Sequence, residues 1–367
     1  MEKTIPKHLM FPSALLLVVI HTLQIGVGIT GFARFVFKHA KQDSWIAVIL
    51  AGGIAHLLIL IIVQTLKRFD NMDLFDIHVH LFGKWIGNGL NILYMGCLFS
   101  YTITYIINYY AFASEYLMPD YPIWLIAVML LILVIYAVRG GIRIVLGVCL
   151  MSFLLTEWVF LVLAQTLTYF EPQHFLPILE ASPKQLAMGT YHMSFSLTGF
   201  ELLYFLYPYA SEKKTVHRYS QWSIFLTNVL YLYTTFLTVG FYSGTGLLKT
   251  IWPTLNLYKA VSFPFLEQFE MITISLMLLI LLPNISVLLW VVSKGVKKVT
   301  SVKQTIALYV LCGCILAISL LFKTYSQISK YTDLFSVVSL YASFIYPIVL
   351  FALSWLIQTI RKKRQKQ

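Results

Sequence analysis

The chain has 367 residues, of which 59% are hydrophobic and only 11% are charged, and its mean hydropathy is +0.79. Soluble domains typically carry about 25% charged residues, so this chain has too few to cover a folded surface with polar groups. The formal net charge is +12, yet lysine and arginine fall in short clusters between apolar runs. Because they form no basic patch, we expect no nucleic-acid partner. The composition predicts a membrane protein that is solvated by the lipid bilayer.

Ten apolar runs follow one another along the chain. A helix needs about 20 apolar residues to cross the hydrocarbon core, where it satisfies its own backbone. The runs fall near 10–33, 44–66, 86–114, 122–138, 143–166, 187–209, 219–241, 268–293, 304–322 and 333–359. The sequence therefore predicts an all-α polytopic membrane protein, with 1–367 as a single transmembrane domain. The first run follows Lys3 and Lys7, and we interpret it as an uncleaved span rather than a signal peptide.

The distribution of basic residues predicts the orientation of these spans. If the N-terminus is cytoplasmic, more than two thirds of the 27 lysines and arginines lie on the cytoplasmic side. An excess of these residues in cytoplasmic loops is the general rule for membrane proteins. The rule predicts that both termini are cytoplasmic and that 360–367 form a basic cytoplasmic tail.

Two spans carry residues that weaken a helix at mid-membrane depth. In the first, Gly26, Gly28 and Gly31 lie close together beside Thr30, and in the sixth, residues 194–201 combine small polar side chains, a glycine and a carboxylate. A glycine inside a helix costs about 1 kcal/mol relative to alanine. Each run can therefore unwind if its freed backbone groups find other partners. The alternative is that the glycines only allow close helix packing.

The positions of the two runs favour unwinding. Spans one and six correspond to each other in two five-helix halves, and paired interrupted helices are typical of inverted-repeat transporters with a site at the midplane. The sequence predicts a 5+5 inverted repeat with broken helices 1 and 6. The first repeat would cover about 10–166 and the second about 187–359.

Broken helices have a definite binding chemistry. The N-terminus of a half-helix offers free N–H groups that suit a carboxylate, and unwound carbonyls suit an ammonium group or a cation. A zwitterionic amino acid carries both charges close together. The breaks supply the candidate ligand-binding residues Gly26, Gly28, Thr30, Ser196, Leu197, Thr198 and Gly199.

Two acidic residues lie deep within spans, Glu157 in the fifth and Glu201 in the sixth. An ionisable residue inside a membrane is a functional hypothesis by default. No lysine or arginine occurs at this depth, so we expect neither acid to find a basic partner. Each is a candidate for proton or cation coupling. The alternative for each is a neutral carboxyl that joins helices by hydrogen bonds.

Two further spans supply candidates. In the third span, Tyr94, Leu98 and Tyr101 recur on one helix face, either as ligand contacts or as packing residues. In the eighth, Pro283 removes an N–H donor and predicts a local break. Asn284 beside it is a candidate ligand residue, or else it satisfies the freed backbone. The histidines of the spans share no ligand spacing, and we predict neither a metal site nor a cofactor.

The residues of the breaks resemble the unwound helices of the amino acid–polyamine–organocation transporter superfamily. The resemblance is carried by Gly26-Val27-Gly28-Ile29 and by 195–201, and it implies the LeuT-like fold. Within that superfamily the chain is similar to the spore germination receptor B-subunit family. Trp252-Pro253-Thr254-Leu255 and the segment 264–270 carry this narrower resemblance, together with the length and the ten spans.

The resemblance implies a function in the inner membrane of the dormant spore. It implies a subunit that senses a nutrient germinant, often an amino acid, in a complex with A and C subunits. The ligand would lie between Gly26 and Gly28 of span one and 197–199 of span six, with spans three and eight closing the site. Similar sequences tend to carry small hydroxyl residues where this chain has Pro283 and Asn284.

Two other functions compete with the sensor. The first is a proton- or cation-coupled amino acid transporter, which would use Glu157 or Glu201. The second is a membrane-embedded enzyme, which we do not expect because the sequence offers no nucleophile or metal constellation.

Overall fold

A computed structural model describes residues 5–69, 71–117, 121–264 and 268–364. The described residues form helices and turns without a named β-strand. The α-helices are α1 (Leu15–Gln24), α2 (Gly28–Ala40), α3 (Ser44–Lys67), α4 (Leu74–Tyr116), α5 (Ile123–Arg139), α6 (Ile142–Val162), α7 (Pro183–Ser196), α8 (Leu203–Leu206), α9 (Lys213–Phe241), α10 (Gly244–Lys249), α11 (Pro253–Leu257), α12 (Phe269–Thr300), α13 (Gln304–Ser319), α14 (Tyr325–Leu340) and α15 (Tyr346–Arg364).

These helices match the ten predicted spans. Six segments of the described chain are long and apolar enough to cross a membrane, and α1, α5 and α13 are shorter apolar helices. Span one consists of α1 and α2, span six of α7 and α8, and span ten of α14 and α15. The first span ends at Ala40 rather than near residue 33. The predicted polytopic all-α architecture is confirmed.

Both predicted helix breaks are present. In span one the helix stops at Gln24, Ile25 is extended, and the helix resumes at Gly28. In span six it stops at Ser196 and resumes as a 3₁₀ turn after Gly199, whose φ is +118°. A side chain is strained at that angle, so glycine is required there. The first-repeat and second-repeat spans thus break at corresponding places.

The predicted break at Pro283 was wrong, because α12 runs without interruption from Phe269 to Thr300. A proline in a membrane helix is tolerated when neighbouring groups satisfy the freed backbone. An irregularity that the sequence did not reveal lies in span ten, where Tyr341–Ile345 form a π-helical turn between α14 and α15. Such turns occur frequently at functional sites.

The segment that carries the Trp-Pro-Thr-Leu motif packs inward. Trp252 through Leu255 are buried, and α11 lies against α2. Of the segment 264–270, residues 265–267 lie outside the described residues, as do 1–4 and 365–367 at the chain ends.

We call the end of the bundle around Phe11 the terminal face. There the entry into span one is bonded to the exit from span six. The N–H of Phe11 donates to the carbonyl of Tyr209 at 3.0 Å, and that of Ser211 donates to the carbonyl of Phe11 at 2.9 Å. Ser13 and Glu212 exchange two further bonds. The terminal halves of the two broken helices are therefore joined.

An ion cluster closes the terminal face between α4 and α12. Asp73 caps α4 and is buried, and both Lys294 and Lys298 donate to its carboxylate at 2.5–2.8 Å. Burial alone would raise the pKa of Asp73, but the two lysines outweigh that effect and hold it well below its ordinary value. Asp73 is therefore ionised, and it anchors α12 to the start of span three.

Candidate functional site

The two breaks face each other in the middle of the bundle. A Cβ atom added to Gly28 would lie 2.9 Å from the hydroxyl oxygen of Ser196. Gly28 and Ser196, with Val27 and Phe195, line two adjoining cavities. Two of the predicted ligand-binding residues, Gly28 and Ser196, therefore lie side by side.

The larger cavity has a volume of about 470 Å³ and lies between α2, α7, α11 and α14. Aromatic side chains form much of its wall, including those of Phe35, Phe195, Trp252 and Tyr325. Polar and charged groups complete it, namely Thr30, Lys38, His39, Asn108, His192, Ser329, Thr332, Asp333 and Ser336. A cavity with apolar walls and a few polar groups is typical of small-molecule sites.

Two histidines stand together in the wall of this cavity. The rings of His39 on α2 and His192 on α7 are stacked, with their centroids 4.5 Å apart and an interplanar angle of 8°. The ring of Phe35 is also stacked with that of His192, with their centroids 6.4 Å apart. The stack ties together the two half-helices that lead away from the breaks.

The smaller cavity lies directly at the breaks and has a volume of about 20 Å³. It is lined by Gln24, Gly26, Val27, Gly28, Tyr101, Thr104, Tyr105, Phe195, Ser196 and Thr198. A water needs roughly 10–15 Å³ of such space, so this cavity has room for about one water molecule. An amino acid at the breaks must extend into the larger cavity.

The N-terminus of α2 is open at this point. Val27, its N-cap residue, makes no side-chain capping bond. Among the described residues, no acceptor receives the N–H groups of Gly26, Val27 or Gly28. These donors, with the positive end of the α2 dipole, are suited to a carboxylate.

Side chains satisfy the other backbone groups that the breaks release. Gln24 donates to the carbonyl of Leu197 at 2.8 Å, and the hydroxyl of Tyr231 lies 2.8 Å from the carbonyl of Ser196 and 3.1 Å from that of Gln24. The amide of Asn284 donates to the carbonyls of Thr22 and Ile25. Of the two roles considered for Asn284, the structure shows the backbone role.

Two threonine candidates are bonded within their own breaks. Thr30 donates to the carbonyl of Val27 at 2.7 Å, and Thr198 donates to that of Phe195 at 2.9 Å. Thr30 lines the larger cavity and Thr198 the smaller one. Their hydroxyl oxygens can still accept a hydrogen bond.

Only one of the three candidates on α4 lines a cavity at the breaks. Tyr101 lines the smaller cavity, and its hydroxyl lies 3.0 Å from that of Ser343 in the π-helical turn. Leu98 is buried and lines neither cavity. Tyr94 also lines neither, because its ring packs against Phe205 and Tyr346. Tyr105, one helical turn beyond Tyr101, also lines the smaller cavity.

Glu201 lies at the break of span six and is buried. Its carboxylate oxygen Oε2 accepts the N–H of Gly199 at 2.8 Å, and the hydroxyl of Ser343 also contacts this carboxyl. Ser343 thereby joins Tyr101 of span three to Glu201 of span six. The carboxyl helps to fix the shape of the break.

Glu157 has a basic partner, contrary to expectation. Its Oε1 lies 3.1 Å from Nε2 of His21, a fully buried residue of α1, and Nδ1 of the same ring lies 2.9 Å from the hydroxyl of Thr227 on α9. The expectation considered only lysine and arginine at this depth. A histidine supplies the partner.

Sequence reasoning missed most of the larger cavity. Span ten was interpreted as a plain span from residue 333, yet its helix begins at Tyr325 and places Ser329, Thr332 and Ser336 in the cavity wall. Their spacing of three and four residues is a helical stripe, which could have revealed them. The roles of Gln24 and Tyr231 depend on contacts between distant segments and carry no such signal.

The chain matches a family model described as "Spore germination protein" over residues 12–328. It belongs to this family. It is similar to spore germination protein GerQB of Bacillus cereus, with 30% identity over 99% of this chain and 100% of that protein. It is also similar to spore germination protein YndE of Bacillus subtilis, with 24% identity over 92% of this chain and 94% of that protein. The predicted family is confirmed.

Solved transporter structures share the fold. A Na⁺-coupled sialic acid symporter, in a substrate-bound outward-open state, superimposes with a TM-score of 0.69 over 95% of this chain and 78% of its own, at 12% identity. MhsT in complex with L-phenylalanine superimposes with a TM-score of 0.62 over 93% of this chain and 87% of its own, at 14% identity. Likeness at this identity concerns the fold alone. It confirms the predicted transporter architecture with broken helices one and six.

Proposed function

We propose that this protein is the germinant-binding subunit of a spore germination receptor and that its ligand is a small zwitterion, an α-amino acid above all. Membership of the spore germination protein family supports the role. The observation that carries the ligand assignment is the uncapped N-terminus of α2, which opens where the two cavities meet.

The geometry suggests how such a ligand is held. The carboxylate would accept hydrogen bonds from the N–H groups at Gly26–Gly28, and the ammonium group would approach hydroxyl and carbonyl oxygens near Ser196 and Thr198. The ligand side chain would extend into the larger cavity, between Phe195 and Trp252. The ligand would not need to contact Glu201, Tyr101 or Leu98. These residues would instead support the shape of the break.

Binding at the breaks would produce a signal through the joined half-helices. A ligand shifts a conformational equilibrium only by its different affinity for the two states. Because α1 and the segment after Gly199 are bonded together at the terminal face, a change at the breaks would move both. We propose that residues 1–367 act as one transmembrane domain in the spore's inner membrane, with both termini cytoplasmic, and that the signal passes to A and C subunits.

A second candidate is a cation-coupled amino acid transporter. The likeness of the fold to a Na⁺-coupled symporter favours it, although one fold serves both functions. Liposomes that contain only this chain separate the two. Accumulation of an amino acid against its gradient would establish transport and contradict a purely sensing function.

The experiment that tests the sensor is a nutrient screen on spores in which this receptor is the only one. We expect one or a few amino acids to trigger germination with a saturable dose–response. Spores that lack the chain should remain dormant with the same nutrients. Germination triggered only by nutrients without a carboxylate would contradict the ligand assignment.

A further inference from the structure

His21 and Glu157 form a contact between an imidazole and a carboxyl group that has no part in the proposed ligand site. His21 belongs to the last turns of α1, whose end is the first break, and Glu157 belongs to α6. Thr227 on α9 completes the group, so three helices meet at one imidazole ring. We propose that the His21–Glu157 pair is a proton-binding site of this protein.

Hydrogen-bond counting fixes the state of the ring. The hydroxyl of Thr227 donates to the carbonyl of Ser223 at 3.0 Å, so its oxygen is left to accept from Nδ1–H of His21. The other ring nitrogen, Nε2, faces Oε1 of Glu157 at 3.1 Å. A proton must lie between these two atoms, since otherwise a lone pair and a carboxylate would face each other.

The pair therefore holds one exchangeable proton. With that proton it is a neutral imidazole and a carboxylic acid, or an imidazolium and a carboxylate, and in either form its net charge is zero. Release to water leaves a carboxylate beside a neutral ring, with a net charge of −1. The His21 ring is fully buried, while the side chain of Glu157 is 28% exposed. Because a net charge is costly beside a buried ring, the bound proton stabilises this contact.

In the described part of the chain, no other charged side chain is bonded to the pair. The phenol of Tyr258 interacts electrostatically with Glu157 and has no hydrogen-bond partner among the described residues, and Tyr233 on α9 lies near that phenol. The turn that follows the second break carries Glu201, which is turned towards Gly199. On α12, which packs against both α1 and α6, charged residues occur only near the ends, at Glu270 and from Lys294 onwards.

The location gives the proton an effect on the broken helix. The carbonyl of His21 accepts the N–H of Ile25, the extended residue of the break. The imidazole side chain holds the same turn of α1 against α6 and α9. Loss of the proton weakens this attachment of α1. The proton site itself is independent of the germinant, whereas its effect on the response rests on the proposed function.

Infrared difference spectroscopy on the purified chain in lipid, without any amino acid, tests the site. A titration over about pH 4 to pH 9 brackets the reference pKa values of carboxyl and imidazole groups. We expect the wild-type chain to show a carboxyl and an imidazole signal that change together. Glu157→Gln, whose amide donates permanently to Nε2, should remove the contribution of this pair and leave that of the exposed Glu171–His174 contact. Both signals should persist in Glu115→Gln, at an exposed position of α4. A titration in Glu157→Gln identical to that of the wild type would overturn the proposal.

A second variant and a second measurement keep the test decisive. If Glu157→Gln does not fold, His21→Gln must remove the same paired signal. Once an amino acid ligand is known, its affinity for the wild-type chain should change with pH by about tenfold, within the usual range of coupling. In Glu157→Gln the affinity should be independent of pH. A Na⁺-dependent affinity that is unaffected by pH in both chains would overturn the site while leaving the proposed function intact.

Discussion

Gly28 and Ser196 lie so close across the two helix breaks that a single added Cβ atom on Gly28 would stand 2.9 Å from the serine hydroxyl. At this contact span one meets span six, and both residues line the two adjoining cavities. The space between the breaks is thus set by the absence of one side chain.

Substitution of Gly28 by alanine should weaken ligand binding without removing the protein from the membrane. The new methyl group must displace Ser196 and narrows the approach to the N–H groups of α2. We expect the concentration for half-maximal germination to rise at least tenfold, which corresponds to about 1.4 kcal/mol. The dose–response of spores that carry this receptor alone measures it.

Gly53→Ala on α3 is the matched control. A Cβ atom at Gly53 meets nothing within 4 Å, and alanine favours a helix. The control should respond as the wild type does. An unchanged dose–response in Gly28→Ala as well would contradict a site at the breaks.

Gly199→Ala should destabilise the protein more than a positive φ angle alone explains. The backbone at Gly199 has φ +118°, and an added Cβ would lie 2.4 Å from the carbonyl oxygen of Leu23. Left-handed backbone costs a side chain roughly 1–2 kcal/mol, and the clash adds to that cost because backbone cannot swing away. Gly141 has φ +81° with nothing within 4 Å, so Gly141→Ala isolates the conformational part. In detergent, Gly199→Ala should unfold at a clearly lower midpoint temperature than Gly141→Ala. Equal midpoint temperatures would show that the close approach to Leu23 is unimportant.

Asn284→Leu should loosen the first break. The side chain keeps its approximate size but no longer donates to the carbonyls of Thr22 and Ile25. The carbonyl of Thr22 still accepts the N–H of Ile25, whereas that of Ile25 loses its partner, and a buried acceptor without a partner costs about 1–3 kcal/mol. The nearby Ser286→Ala removes a buried hydroxyl that has no partner among the described residues. Because that control removes no hydrogen bond and relieves an unpaired buried hydroxyl, it should not lower the stability. If both variants unfold at the same temperature, Asn284 does not support the break.

These residues show what the sequence could and could not predict. The breaks were predictable because Gly26, Gly28 and Gly199 are unfavourable in any helix, whatever surrounds them. The partner of Asn284 was not, since the carbonyl of Thr22 lies 262 residues away in the chain. The same reason applies to Glu157, whose partner His21 depends on how α1 and α6 are aligned. Local residue preferences reveal where a helix is weak, and only tertiary packing reveals what satisfies it.

Asp73→Asn should weaken the protein at neutral pH and remove part of its acid sensitivity. Asp73 has a pKa below its ordinary value of 3.8 because of Lys294 and Lys298, although burial opposes them. A carboxyl with a lowered native pKa contributes stability that is complete above its unfolded pKa and is lost as the pH falls towards the native value. Loss of one partner of a buried ion pair costs about 3–5 kcal/mol.

The pH dependence of unfolding measures this contribution. The free energy of unfolding of the wild-type chain should decrease below about pH 4. That of Asp73→Asn should be lower at neutral pH and should decrease less over the same pH range. Glu115→Gln, at an exposed position of α4, should follow the wild-type curve. Parallel curves for the wild type and Asp73→Asn would mean that the cluster does not hold α12 to the terminal face.

Competition binding to the purified chain tests most directly whether the N-terminus of α2 holds a carboxylate. The amino acid that triggers germination is radiolabelled and displaced either by its unlabelled form or by its amide, in which a neutral group of similar size replaces the carboxylate. The account predicts saturable binding that the free acid displaces and the amide displaces at least tenfold less well, a difference of about 1.4 kcal/mol. Equal displacement by the amide would contradict a carboxylate site at Gly28.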